Sequence, residues 1–169
     1  GLSSLIFLIA LFFVVGSINP AFLTPATIAA CFNTSVVYTL VAVGVAFTLF
    51  IGEIDVSVGS NLGLVAAVVG TMLRDGQPLI AAVVVGVVIG AAIGLINAWG
   101  VAVMKAPSLI FTLGVNGILR GIIYVYTNGA WVENLPKSFK DFSAVTGIGD
   151  LTVYYCAVIA LVVIIHMVL

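Results

Sequence analysis

Charge is the scarcest property of this sequence. Of its 169 residues, 7% are Asp, Glu, Lys or Arg and 63% are hydrophobic, with a mean hydropathy of +1.39. A soluble domain carries roughly a quarter charged residues, so this chain has too few to cover a water-facing surface. Lipid is the expected solvent for most of its exterior. The net charge of −1 comes with neither an acidic tail nor the basic patch that nucleic acid requires. Cysteine is almost absent: Cys31 and Cys156 lie in or beside apolar runs, read as small buried hydrophobes and make no disulfide framework. The single histidine, His166, offers no metal-ligand spacing and reads as a packed helix residue. There is no Gly-x-x-x-x-Gly-Lys-Ser/Thr run to cradle ATP phosphates. No nucleophile is paired with a base and an orienting acid. The chain is therefore expected to be no enzyme and to bind no cofactor itself.

The start of the chain also lacks something. It opens at Gly1 with no Met, Lys or Arg, so the first apolar run has no basic flank of a signal peptide. It reads as a membrane helix whose N-terminal flank is missing. The last apolar run continues to Leu169, so the sequence is expected to be truncated at both ends.

What the chain has is apolar length. Crossing a bilayer takes about 20 residues of helix, and six runs qualify as candidates: 2–18, 34–51, 58–73, 79–104, 108–126 and 151–169. The run 58–73 is short and reads as tilted, or as joined to Asp55–Ser57 in a broken helix. Turn chemistry separates the runs at Asn19-Pro20, Thr24-Pro25, Asp75-Gly76-Gln77-Pro78, Lys105-Ala106-Pro107 and Asn128-Gly129. The expected fold is all-α, a polytopic transmembrane helix bundle of about six helices forming one domain over 1–169. Ala82, Gly86, Gly90, Gly94 and Ala98 fall every four residues, as do Gly59, Gly63 and Ala67. Small faces let helix backbones approach, a main source of association in lipid.

The one long polar connection is 129–150. Leu135, Phe139 and Phe142 have helical spacing, Pro136 suits a first turn, and Glu133–Lys137 and Lys137–Asp141 are i,i+4 opposite-charge pairs. A short amphipathic helix on the membrane surface is expected, either as a solvated cap or as a docking surface for a soluble partner. If the spans alternate, Arg74, Lys137 and Lys140 share a side opposite Lys105. The positive-inside rule then puts this loop in the cytoplasm.

Two polar features interrupt the apolar background. The run Gly52-Glu53-Ile54-Asp55-Val56-Ser57-Val58-Gly59-Ser60 places two carboxylates and two hydroxyls near membrane depth. Non-helical backbone is tolerated there only if buried in protein or facing a water-filled cavity. Asp55 and Ser57 suit a cap on the next helix; direct solute contact by Glu53, Asp55 and Ser57 is the other reading. The second feature is a stripe, Thr112, Asn116, Arg120 and Tyr124, recurring every four residues. A cation at the bilayer centre costs about 2.5–3.5 kcal/mol on insertion scales, so Arg120 is expected to face the bundle interior with a partner, Asp55 or Glu53. Asn97 lies one helix earlier, close to the Gly90/Gly94 face. These side chains read as interhelical glue or as the lining of a solute path.

These residues carry a family resemblance. The run 52–60 resembles the Gly-Gly-Ile-Asp-Leu-Ser-Val-Gly-Ser signature of ribose-type ABC sugar permeases. The stretch from Gly94-Leu95-Ile96-Asn97 through Pro107-Ser108-Leu109-Ile110-Phe111-Thr112-Leu113-Gly114 to Arg120-Gly121 is similar to the second block of that family. The stretch Trp131-Val132-Glu133-Asn134-Leu135-Pro136 is nearest to the autoinducer-2 and rhamnose branch. Glu53 stands where the family usually has glycine, and Trp99 follows Ala98 where Asn-Gly is common. The resemblance implies an importer permease of about ten helices in the bacterial cytoplasmic (inner) membrane. Its partners would be a second permease chain, identical or paralogous, a periplasmic sugar-binding protein and cytoplasmic ATPase subunits that carry ATP and Mg. It also implies that 129–150 faces the periplasm, against the charge count, and that the ATPase-docking segment follows the last helix here. A neutral sugar needs hydrogen-bonding groups along its path, which Asn97, Thr112, Asn116 and Tyr124 supply. Two other readings stand beside it: an ion-coupled secondary transporter or channel, and a membrane scaffold with no transport.

Overall fold

Punctuation by proline and polar residues sets where the helices begin. The computed structural model of the chain describes residues 2–148 and 151–168. Its helices are α1 (Leu2–Ile18), α2 (Pro25–Phe50), α3 (Val58–Arg74), α4 (Leu79–Ala98), α5 (Ser108–Thr127), α6 (Lys137–Ser143) and α7 (Val153–Val168). A 3-10 turn, Pro20–Leu23, precedes α2, and a π turn, Trp99–Val103, extends α4. A minimal antiparallel pairing joins β1 (Thr146–Ile148) to β2 (Leu151–Thr152). Among the described residues, three helical stretches are long and apolar enough to cross a membrane: Pro25–Phe50, Leu79–Val103 and Ser108–Thr127. Helix α3 has 17 residues, about 25 Å at 1.5 Å per residue, short of a hydrocarbon core of about 30 Å. The protein is a helical membrane bundle.

Two compact units divide the chain. The first comprises Gly1–Leu40 and Ala144–Leu169. Within it Leu23 packs on Gly16, where a Cβ would stand 2.3 Å from Leu23 Cδ1, and the Phe12 and Phe22 rings lie 4.8 Å apart. The Thr152 N–H donates to Asn33 Oδ1 at 2.8 Å, and Phe32 stacks on Tyr155. Helix α2 begins at Pro25, nine residues before the apolar run that announced it. Thr24 Oγ1 accepts from the Thr27 N–H at 3.4 Å, a cap that starts the helix through a polar stretch. Hydropathy measures depth in lipid; the cap decides where the helix begins.

The second unit, Val41–Ser143, carries the core. Helix α3 packs against both α4 and α5. Leu64, Ile93 and Leu119, one from each helix, are buried together, with Val68, Ile89, Val115 and Ile123 around them. Buried positions on α3, namely Ser60, Leu64, Ala67, Gly70 and Leu73, recur every three or four residues, one helical face. Helix α4 runs antiparallel to α3: Gly86 meets Val65 and Val69, while Gly90 meets Asn61 and Val65. Its amide seals the contact, Asn61 Nδ2 donating to the Gly90 carbonyl at 3.4 Å. Helix α5 runs parallel to α3, with Ser60 beside Asn116 and Gly63 beside Ile123.

The turn between α3 and α4 closes as a Schellman motif: Gly76, at φ +81°, donates to the Leu73 carbonyl and Gln77 to that of Met72. Two residues past the π turn, Lys105 has a φ of +58° that lets Ala106 N–H reach the Gly100 carbonyl at 3.2 Å. Pro107 then starts α5, its carbonyl accepting from Ile110 and Phe111.

The polar connection holds less helix than its pattern suggested. Helix α6 spans Lys137–Ser143, so Glu133 and Leu135 precede it, and Pro136 caps it by accepting from Phe139 and Lys140. Glu133–Lys137 is therefore no helical pair; Arg74 pairs with the adjacent Asp75 at 2.9 Å. Leu135 instead packs beside Gly70 of α3. Residues 146–148 pair with 151–152 as strands, which delays α7 to Val153. The side chains of Phe142 and His166 lie outside the described residues.

Candidate functional site

The break between α2 and α3 is satisfied donor by donor. Buried backbone N–H groups need partners, above all where lipid surrounds the protein. Gly52 N–H donates to the Leu49 carbonyl and Glu53 N–H to that of Thr48, both at 3.0 Å. Past Gly52, at φ +80°, the chain is irregular up to Val58 and borrows its acceptors from α5. Ile54 N–H donates to Ser108 Oγ at 3.2 Å and Val56 N–H to Thr112 Oγ1 at 3.1 Å. Thr112 Oγ1 itself donates to the Ser108 carbonyl at 2.8 Å and lies 3.3 Å from that of Ile54. The hydroxyl pair at positions 108 and 112, one helical turn apart, thus pins the break to the first turn of α5.

Asp55 closes the turn. Its Oδ1 accepts from the Ser57 N–H at 2.8 Å and the Ser57 hydroxyl at 2.7 Å. Asn97 Nδ2 donates to Asp55 Oδ2 at 3.1 Å and to Ser57 Oγ at 2.7 Å. Asp55, Ser57 and Asn97 form one network, with Ser57 only 1% exposed. Both Asp55 oxygens are engaged, so Asp55 and Ser57 form a local turn tied across to α4; the expected side-chain cap on α3 does not form, because the Ser57 hydroxyl is turned to Asp55. The geometry fixes the Asn97 amide, because only its NH₂ can face a carboxylate. Its Oδ1 is left buried without a hydrogen-bond partner, and the residue is 7% exposed.

The α5 stripe divides along its length. Residues four apart on a helix advance about 40° per step beyond a full turn, so the row spirals by about 120° from Thr112 to Tyr124. Thr112 is 2% exposed and belongs to the turn network. Asn116 is half-buried and its Oδ1 accepts from the Ser60 hydroxyl. Arg120 is exposed and Tyr124 is 69% exposed. The expected pairing of Arg120 with Asp55 or Glu53 does not form. Asp55 sits level with Thr112, eight residues earlier on the helix, about 12 Å away along the axis.

Two cavities flank these groups. The first, about 700 Å³, is lined by Glu53, Asp55, Asn97, Lys105, Ser108 and Thr112 among others, with Gly94, Ala98, Val101 and Ala102 forming its α4 wall. The second, about 590 Å³, is lined by Arg120, Tyr124, Thr127 and Trp131 together with Gly63, Ala66 and Ala67 of α3. The eight residues singled out in the sequence therefore fall into three places. Glu53, Asp55, Ser57, Asn97 and Thr112 gather at the break, Asn116 bridges α5 to α3, and Arg120 and Tyr124 line the second cavity. Sequence reasoning missed Ser108, Lys105 and Ser60. A hydroxyl directly after Pro107 and four residues before Thr112 was the available signal for Ser108; Lys105 gave none beyond its place before a turn.

The family whose description reads "branched-chain amino acid transport system / permease component" matches residues 27–169, and the chain belongs to it. Among curated proteins it is similar to three autoinducer 2 import system permease proteins LsrC. The one from Enterobacter sp. (strain 638) is 37% identical over 148 residues, covering 88% of this chain and 43% of that protein. The one from Salmonella typhi is 33% identical over 147 residues, covering 87% and 42%. The one from Escherichia coli O9:H4 (strain HS) is 33% identical over 164 residues, covering 94% and 48%. The chain spans less than half the length of these relatives. No solved structure matches it.

Proposed function

We propose that this chain is part of the membrane-spanning permease subunit of an ATP-binding-cassette importer, translocating a monosaccharide or related sugar-like solute. One observation carries the reading: a non-helical break between two apolar helices, its backbone satisfied by Ser108 and Thr112, borders a cavity lined by Asn97, Glu53 and Thr112. Irregular backbone in a membrane bundle belongs beside a water-filled path or inside protein. The likeness to autoinducer 2 permeases supports the same reading. On it, a periplasmic binding protein delivers the solute, a second permease chain completes the path, and separate cytoplasmic subunits bind ATP and Mg. The chain would sit in the bacterial cytoplasmic membrane with 129–150 toward the periplasm. No feature of the site favours the ion-coupled alternative.

Mechanistically, the permease holds the solute weakly, because tight contacts slow release. Hydroxyls and amides do this at less cost than charges buried in lipid. Asn97 and Thr112 serve the first cavity, Asn116 lies between the two, and Arg120 and Tyr124 serve the second. The test is extraction of the full-length permease in mild detergent from its own cells. An ATPase subunit is expected to co-purify, with hydrolysis stimulated by a soluble binding protein; its absence under several gentle conditions overturns the importer reading. In intact cells, Asn116→Leu and Arg120→Leu are expected to lower uptake at normal membrane levels. Wild-type uptake in both removes the stripe from the path.

A further inference from the structure

Arg120 leaves a demand unmet. It stands well inside α5 (Ser108–Thr127), about 18 Å from the start of the helix and about 10 Å from its end. Its guanidinium makes no hydrogen bond or ion pair among the described residues. No carboxylate lines the second cavity with it; the polar side chains there are Tyr124, Thr127 and Trp131. The described carboxylates are placed elsewhere. Asp55 is engaged in the turn network, Glu53 lines the first cavity and Asp75 pairs with Arg74. Glu133 and Asp141 belong to the connection past the end of α5. Ionisable residues within membrane spans almost always face protein and carry a partner, because the unpaired charge is costly.

The helix face around Arg120 is also unfilled. Leu113, Gly117, Arg120 and Tyr124 are four, three and four residues apart, the 3.5-residue period of a seam between two helices. All four are exposed. A Cβ on Gly117, or on the adjoining Gly121, would meet nothing within 4 Å. The contact with α3 uses the other side of α5, where Leu119 is buried against Leu64 and Ile93. Lipid at this depth is acyl chain, which fills an apolar seam but offers a guanidinium no partner. More than half of each of the three LsrC relatives lies outside the matched region, so a permease of their length has chain in hand for further spans.

We infer that this face of α5 is the seat of a transmembrane helix from the part of the permease polypeptide outside residues 1–169, and that this helix presents an Asp or Glu to Arg120 across the second cavity. The open surface at Gly117 and Gly121 lets the incoming backbone approach closely, which brings a short acidic side chain within reach. The guanidinium fork accommodates a carboxylate through two parallel hydrogen bonds, and the pair carries no net charge into the bilayer. Arg120 then ties the wall of the second cavity together instead of offering a free charge to a solute. The inference rests on the family and on the length of its members; the importer reading can fail without touching it.

The test places the photo-cross-linker p-benzoylphenylalanine at position 113, on the seam, in the full-length permease. The protein is irradiated in its native membrane, and the products are mapped by mass after proteolysis. The expected product joins Leu113's position to a segment of the same polypeptide outside residues 1–169. A phospholipid adduct, a cross-linked pair of permease chains, a link within residues 1–169, or no cross-link at all overturns the inference. Two variants test the contact itself in detergent unfolding. Gly117→Leu fills space that is open in this chain; with the seat occupied, it is expected to lower the folded-to-unfolded ratio about tenfold, and wild-type stability overturns the seat. Arg120→Glu sets two carboxylates against each other and is expected to lower the ratio about a hundredfold. Exchanging the acidic residue of the cross-linked segment for arginine in the same molecule is expected to restore it to within about tenfold of wild type. Wild-type stability of Arg120→Glu, or no recovery at any acid on that segment, overturns the ion pair. ATPase co-purification is read separately: a lipid adduct with coupling intact removes the seat and leaves the importer reading, and the expected cross-link without an ATPase does the reverse.

Discussion

The two halves of α4 carry the same sequence device and use it oppositely. Ala82, Gly86, Gly90, Gly94 and Ala98 are small and four apart. In the first half the row is contact surface: Ala82 is fully buried, and a Cβ on Gly86 would stand 2.9 Å from Val69 Cγ2 and 3.2 Å from Val65 Cγ1. In the second half the row is wall: a Cβ on Gly94 would meet nothing within 4 Å, and Gly94 and Ala98 border the first cavity. The difference comes from the partner. Helix α3 begins only at Val58, so past its first turn α4 no longer has α3 beside it. The Asp55 turn stands there instead, and it is held by hydrogen bonds. Small residues permit close approach in lipid, and the neighbouring backbone decides whether the space they leave is filled.

The largest expected effect comes from breaking the polar half. Asn97→Leu removes the donor from Asp55 Oδ2 and from Ser57 Oγ while adding apolar volume of similar size. A hydrogen bond to a charged group is worth about 1.5–3 kcal/mol, so the variant is expected to lose about 3 kcal/mol in detergent unfolding. The comparison breaks if Asn97→Leu unfolds with wild-type stability, because the turn would then stand without its tie to α4.

The next effect tests shape. Gly86→Leu places a branched side chain against Val65 and Val69 and is expected to cost about 1–3 kcal/mol as an overpacked interface. Gly94→Leu is expected to leave stability within about 0.5 kcal/mol, the range for substitutions that touch no special feature, yet to occupy the first cavity and lower uptake. Equal destabilisation by the two would show that the second half of the row is a packing face after all.

Most of the bundle was legible in the sequence, because 63% apolar content and the placement of Pro, Asn and Gly speak directly to spans and breaks. The three membrane-length stretches coincide with apolar runs, and Asp55, Ser57, Asn97 and Thr112 were singled out before the fold brought them together. The misses share a cause. The partner of Arg120 was inferred from charge alone, but Asp55 lies two turns away along α5, a distance fixed by where α3 starts. The short helix expected within 129–150 forms at Lys137–Ser143, but without Leu135, which packs on α3 beside Gly70, a tertiary contact that no local pattern encodes. Ser108 was missed because its role is to accept from a backbone N–H 54 residues away.

The smallest expected effect concerns strain, which also divides the two halves. From Val58 to Ala98 the only residue with positive φ is Gly76, where no side chain pays for it. At the cavity end Lys105 holds φ +58°, a conformation that costs a non-glycine residue about 1–2 kcal/mol, two residues past a π turn of the kind often found at functional sites. Gly100 makes that turn possible, since a Cβ there would stand 2.2 Å from Phe111 Cζ. Lys105→Gly is therefore expected to stabilise the protein, by about 0.5–1 kcal/mol once the added freedom of the unfolded chain is subtracted. If the lysine is present only to end a helix, uptake should be unchanged in that variant. If its ammonium is kept at that strained position to balance Glu53 across the first cavity, stability should rise while uptake falls. The paired readout separates a tolerated misfit from a charge held in place at the expense of stability.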